Sequence, residues 1–231
     1  MNLIFLNKLK AKIFFLFLNI KYKFFHKINK SELSEKFKLI NLDPFIGTKR
    51  FFLTEKECDY VKTLAITKLK RSVVNSNNKN KLSNIRSSKS CVLNYKQDDI
   101  TLNLVKRLSE IVGLNYRSIP YIEVSRYKTG EFFAYHLDAF NKGYILNKLV
   151  NKEYKFIQRF LTAICYLNTP EDGGETSFPD LEKKIYPEIG KFLLFENTKN
   201  SSLIPNLKSF HSGDPVRKGE KWIITIWFHT I

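Results

Sequence analysis

The chain has 231 residues, 43% of them apolar and 20 of them Phe, enough to bury one substantial core and so to exclude an intrinsically disordered protein. Its three cysteines, Cys58, Cys91 and Cys165, have no paired spacing, which does not suggest a disulfide framework and fits a reducing, cytoplasmic compartment. The net charge of +17 is unevenly spread, with 9 basic against 2 acidic residues in 1–40, 15 against 7 in 41–120, and 15 against 13 in 121–231. A basic front half attracts nucleic acid, anionic membrane or acidic protein. Lys, however, is inflated together with Asn, Ile and Phe along the whole chain, so compositional bias explains the charge equally well.

Residues 1–40 read as a basic extension, poorly ordered or surface-associated. Lys8, Lys10, Lys12, Lys21 and Lys23 flank an apolar run from Ile13 to Ile20, far shorter than the ~20 residues of a spanning helix. No small-x-small cleavage pattern follows it, as a secretory signal requires. A loosely docked extension remains, or a basic amphipathic helix in weak contact with a membrane surface through residues 1–30. The second reading makes a membrane-associated or endoplasmic-reticulum location the alternative to a cytoplasmic one.

Residues 41–231 read as a single domain, helical in 41–118 and β-rich in 119–231. Asp43-Pro44-Phe45-Ile46-Gly47 is extended chain with a turn. Thr54 and Glu57 form a capping box, and Val61, Leu64, Ala65 and Leu69 follow at helical spacing, predicting a helix over 55–70. The Asn-, Ser- and Lys-rich stretch 75–90 cannot pack a core and reads as a mobile loop, a candidate lid. Asp98 caps a second helix through Ile100, Leu104, Val105, Leu108 and Val112, which Gly113 stops. From Tyr121 the period becomes two, in segments over 122–127, 160–167, 191–195 and 221–228. Asp172-Gly173-Gly174 and Arg217-Lys218-Gly219 are turns between such strands. Short strands with regular turns indicate a sandwich or barrel with helices outside it.

Residues two apart on a strand share a face, so His136 and Asp138 can reach one ion while Leu137 turns away. The chain has four histidines; besides His136, they are His26 in the basic leader, His211 before a turn, and His229 after the last strand. Two imidazoles and a carboxylate form the triad that holds Fe(II) with open positions. Lys221 shares a face with Ile223, Thr225 and Trp227, and an ammonium buried on that face needs an anion. Trp222 and Trp227 read as core. The turn Asp172-Gly173-Gly174-Glu175 reads as a tight turn whose glycines take positive φ rather than as an acidic metal site.

Four blocks in order carry a specific likeness. They are Tyr127-Lys-Thr-Gly-Glu-Phe-Phe-Ala-Tyr-His136-Leu-Asp138, Arg159-Phe-Leu-Thr162-Ala-Ile-Cys-Tyr166-Leu-Asn168, Gly173-Gly-Glu-Thr-Ser-Phe-Pro179, and His211-Ser-Gly-Asp-Pro-Val-Arg-Lys-Gly-Glu-Lys221-Trp222. Together they resemble the prolyl 4-hydroxylase alpha-subunit type of Fe(II)/2-oxoglutarate-dependent dioxygenase. The strong likeness covers 121–228, and Phe52 to Cys58 with Arg86-Ser87-Ser88 extend it weakly.

The resemblance implies a mainly β, α+β fold with flanking helices around a double-stranded β-helix, a jelly-roll or cupin-like core. It implies His136, Asp138 and His211 as iron ligands and catalytic residues, and Lys221 as the partner of the distal carboxylate of 2-oxoglutarate. Tyr127 and Tyr166 occupy positions implying contact with the co-substrate, with core packing as the alternative, and Thr162 and Arg159 do so more weakly. The implied cofactors are Fe(II), 2-oxoglutarate and O2, with ascorbate as reductant. The implied reaction hydroxylates an unactivated C–H, that of a peptidyl proline, releasing succinate and CO2. A different residue or a small molecule as substrate is the nearer alternative. A non-catalytic basic nucleic-acid-binding module is the remoter one, disfavoured because the catalytic half is nearly neutral and because nucleic-acid-demethylating relatives generally carry arginine where this chain has Lys221.

Overall fold

Antiparallel pairing of the apolar period-two segments builds two sheets whose facing side chains enclose the site. The computed structural model describes residues 3–25, 28–76, 79–82 and 84–230, and side chains are described except in 1–6, 23–27, 74–83 and 231. Strands are numbered in chain order. The larger sheet runs β1 (Lys38–Leu42), β2 (Phe45–Lys49), β13 (Phe192–Glu196), β9 (Arg159–Tyr166), β16 (Glu220–His229), β7 (Ile122–Lys128), β6 (Lys89–Leu93) and β3 (Lys70–Arg71). The smaller sheet runs β12 (Lys183–Ile185), β11 (Thr176–Phe178), β14 (His211–Gly213) and β8 (Phe133–His136). Two short hairpin-like pairs complete the set, β10 (Asp172–Gly173) with β15 (Val216–Lys218), and β4 (Val73–Ser76) with β5 (Lys79–Leu82).

Each face of the larger sheet has its own core. Tyr127, Ile164, Tyr166, Leu193, Phe195 and Ile223 meet Phe178 and Ile185 of the smaller sheet, which makes the expected jelly roll. The other face carries Ile122, Val124, Leu161, Ala163, Leu194, Ile224 and Ile226 against the helices α3 (Glu55–Ile66) and α4 (Asp99–Val112). Helix α4 forms as its ends dictate, with Asp98 accepting from the Thr101 N–H and Gly113 closing it at φ 73°. Helix α3 starts in the expected Thr54–Glu57 capping box but ends at Ile66 rather than at residue 70, because Lys70 leaves to pair with Ser90.

Three segments carry structure that the sequence reading did not specify. Residues 1–40 include a docked helix, α1 (Leu3–Phe25), as well as α2 (Lys30–Lys36) and part of β1. Ala11, Phe15, Leu18 and Tyr22 recur at helical spacing and bury themselves against Ile145, Leu149, Ile157 and Leu203. Asn19 Oδ1 also accepts the Leu203 N–H at 3.0 Å. The partners Ile145 and Leu149 belong to α5 (Lys142–Val150), which sequence periodicity did not reveal. The polar stretch 75–90 is not wholly irregular: it contributes to the β4–β5 pair, the start of β6, and the buried Arg86 and Ser88. Its residues 77, 78 and 83 lie outside the described residues, and the side chains of 75–83 with them.

Candidate active site

The register of the smaller sheet makes His136 and His211 cross-strand partners, with ring centroids 4.3 Å apart. Strand β8 ends at His136, and a bend rather than strand alternation carries Asp138 to the same point. His136 Nε2 lies 3.4 Å from Asp138 Oδ1, and His211 Nε2 lies 3.8 Å from Asp138 Oδ2. The three ligand atoms all lie within 4.8 Å of one another.

Both imidazoles are fixed from behind. His136 Nδ1 is 2.9 Å from the Ala134 carbonyl and His211 Nδ1 is 2.9 Å from the Ser209 carbonyl. A carbonyl only accepts, so Nδ1 carries the proton and each Nε2 presents its lone pair to the common centre. Burial, reinforced by the neighbouring His136, pushes the His211 pKa down to about 4, so its lone pair is free at neutral pH. Burial opposes ionisation of Asp138, but the adjacent His136, His211 and Arg159 hold its carboxyl well below the usual carboxylate range. Two imidazoles and one carboxylate on one side of a point fit a divalent iron with open positions.

The Thr162 hydroxyl donates to Asp138 Oδ2 at 2.7 Å and accepts from Asn197 Nδ2 at 2.6 Å, which orients the carboxylate. Tyr166 is buried beside the cavity, with its hydroxyl 2.8 Å from the Thr176 hydroxyl, and Thr176 itself lines the cavity.

One cavity joins the triad to Lys221, Tyr127, Thr176 and Trp227. Register accounts for this grouping: Lys221 pairs with Tyr127 across β16 and β7, while Trp227 pairs with Thr162 across β16 and β9. Lys221, Ile223, Thr225 and Trp227 thus form a row facing the cavity, roughly 20 Å long at about 3.3 Å per residue. Trp222, on the alternate face, packs into the helical-side core as expected; Trp227 lines the cavity instead of joining it.

Lys221 is 2% exposed, and among the described residues it forms no ion pair. Its Nζ lies 5.4 Å from the Tyr127 ring centroid and 5.8 Å from that of Tyr166. Burial pulls its pKa down to about 8, partly opposed by Asp214 and Glu175. A desolvated ammonium at the inner end of a cavity is a receptor for an anion. The carboxylates of the glycine turn are engaged elsewhere, as expected of a structural turn: Asp172 takes two bonds at 2.7 Å from Arg217, and Glu175 one at 2.9 Å.

Sequence reasoning missed a polar wall and a rim. Arg86, buried in the stretch read as a loop, donates to Glu123 at 2.6 Å and Ser125 at 2.8 Å, and lies 4.8 Å from the Phe133 ring. Near the other end of the row, the Arg159 guanidinium stacks 3.8 Å from the Trp227 ring. The N–H groups of Arg159 Nε and Trp227 Nε1 are buried without a hydrogen-bond partner among the described residues. The Arg159-first block hinted at this rim, and strand alternation put Trp227 on the face of Lys221, but its apolar bulk read as core.

Residues 122–229 match the family model described as the 2OG-Fe(II) oxygenase superfamily. The chain is 31% identical over 217 residues to probable prolyl 4-hydroxylase 4 of Arabidopsis thaliana, covering 84% of this chain and 70% of that relative. It is 30% identical over 213 residues to prolyl 4-hydroxylase 5 of the same plant, covering 83% and 70%. The viral collagen prolyl hydroxylase of Paramecium Bursaria Chlorella virus-1, solved as its 2OG complex, superposes with a TM-score of 0.64 at 25% identity, over 80% of this chain and 96% of that one.

Proposed function

Since the chain belongs to the prolyl 4-hydroxylase family of 2OG-Fe(II) oxygenases, we propose that it hydroxylates C4 of a proline within a peptide. In this reaction one atom of O2 enters the proline C–H bond and the other enters 2-oxoglutarate, which leaves as succinate and CO2. The observation that carries the reading is the convergence, in one cavity, of two back-bonded imidazoles, one carboxylate and a buried ammonium with no ion-pair partner among the described residues.

His136, Asp138 and His211 would hold Fe(II), which with 2-oxoglutarate and O2 supplies the oxidising chemistry. The carbonyls of Ala134 and Ser209 keep both Nε2 atoms aimed inward, and Thr162 fixes Asp138 Oδ2. Lys221 receives the distal carboxylate of 2-oxoglutarate, and Tyr127 and Tyr166 wall the same end. Arg159 Nε and Trp227 Nε1 offer two desolvated donors to a substrate peptide's carbonyl groups. Ascorbate is the reductant we assign to recovery after uncoupled turnover.

Succinate release with Fe(II) and 2-oxoglutarate across matched peptides tests the proposal. Proline-rich peptides should stimulate release and gain one oxygen at proline, and the same peptides with alanine at each proline should not. Equal release from both sets overturns the assignment of proline.

A further inference from the structure

We propose that the solvent face of α1 seats the protein on an anionic lipid bilayer. Helix α1 carries two apolar stripes. Ala11, Phe15, Leu18 and Tyr22 are buried against α5 and its neighbours. Leu9, Ile13, Leu16, Phe17 and Ile20 recur at the same helical spacing, and Ile13, Leu16, Phe17 and Ile20 each keep 59 or 60% of their surface exposed. The stripes are offset by two residues, roughly 200° around a helix of 3.6 residues per turn. One stripe therefore docks to the protein while the other faces away from it. A helix serving only this fold needs a single apolar stripe.

The borders of the outer stripe specify the partner. At about 100° per residue, Lys10 and Lys21 fall along one edge and Lys12 along the other. No acidic residue occurs before Glu32. A second copy of this face would bring lysines against lysines, whereas anionic headgroups neutralise them. The patch continues onto the neighbouring segment: the Phe14 ring stacks on Phe17 at 6.1 Å and meets Tyr154 edge-on at 5.5 Å, with Tyr154 48% exposed. Aromatic side chains of this kind settle at the headgroup boundary. No helix among the described residues is long and apolar enough to cross a membrane, and the inner face of α1 is committed to the protein. The helix therefore lies in the plane of the surface with its outer stripe immersed.

Sedimentation of the full chain with vesicles tests this. Phosphatidylcholine–phosphatidylserine vesicles should bind the protein at low salt at least about tenfold more strongly than phosphatidylcholine alone. The combined substitution Leu16→Ser, Phe17→Ser and Ile20→Ser should lower partitioning at least about tenfold, with succinate formation in solution unchanged as evidence of folding. Lys10→Gln, Lys12→Gln and Lys21→Gln together should reduce binding to the level seen on phosphatidylcholine. Equal partitioning of wild type and the serine variant overturns the proposal. So does lipid-independent self-association that the serine variant abolishes while the wild type ignores vesicles, which identifies a second copy as the occupant.

Discussion

Replacing Lys221 with Met separates binding from stability, because the two effects have opposite signs. The folded protein depresses this ammonium from its ordinary 10.5 to about 8, which corresponds to roughly 3 kcal/mol of desolvation at about 1.4 kcal/mol per pH unit. Met fills a similar volume without the charge, so Lys221→Met should unfold at a higher temperature than wild type at pH 7 in the absence of 2-oxoglutarate. Between pH 8 and 10.5 the unfolded chain holds a proton that the folded lysine lacks, so the wild type gains stability as pH rises through that window. The variant lacks this gain, and the difference between the two proteins cancels the tyrosines and cysteines that also titrate there. Binding should move the other way. A charge-assisted contact is worth about 1.5–3 kcal/mol, so the variant should bind 2-oxoglutarate roughly ten- to a hundredfold more weakly. Calorimetric titration with 2-oxoglutarate and thermal melts from pH 7 to 10 read both effects. Unchanged 2-oxoglutarate affinity, or a lowered melting temperature at pH 7, refutes the assignment of this ammonium to the co-substrate.

Thr162→Val should raise the iron dissociation constant roughly tenfold or more by freeing Asp138 Oδ2, measurable by anaerobic titration; unaltered affinity would show the hydroxyl to be packing only. In metal-free protein, burial pushes His211 down to about 4 and, with help from Arg159, His229 to about 3. The unfolded chain therefore binds protons that the folded one refuses as pH falls below about 6.5, costing each site ~2 kcal/mol at pH 5. Melting temperature should drop between pH 7 and 5, and His229→Phe should flatten the slope; an unchanged slope contradicts the assignment. At Gly173, φ is 81° and an added Cβ would meet the Pro215 carbonyl oxygen at 2.4 Å. Gly173→Ala should cost roughly 1–3 kcal/mol and displace the Arg217 turn, seen as a lower melting temperature; a neutral result would show that the turn can relax.

What could be read from the sequence follows from how local each signal is. The Asp98 cap, the Gly113 stop and the Thr54–Glu57 box lie within a few residues of the ends they define, so α4 and the start of α3 were legible. The end of α3 was not, since apolar spacing continues to Leu69 while the pairing of Lys70 with Ser90 is set by a strand 20 residues away. The polar stretch 75–90 gave no apolar pattern, yet Asn75 and Ser76 pair backbone to backbone with Asn80 and Lys79. The candidate iron ligands were accessible because histidine is rare here and the four blocks keep their order. Thr162 was reached through the family likeness, and its bonds to Asp138 and Asn197 join segments too far apart in sequence for a local pattern to show. For Asp138 the sequence reason was incomplete: the bend after His136, rather than a continuing strand, delivers the carboxylate to the candidate site. Trp227 follows the alternation that placed Lys221, and its apolar bulk disguised a cavity-facing donor as core.

Anaerobic addition of Fe(II) to the protein with 2-oxoglutarate tests the central claim most directly. Wild type should bind about one equivalent at the two-His, one-carboxylate site and develop the visible charge-transfer absorption of a chelated 2-oxo acid. His136→Ala should show neither the absorption nor succinate formation when O2 is admitted. Stoichiometric iron binding with the same absorption in His136→Ala would place the metal elsewhere and contradict the account.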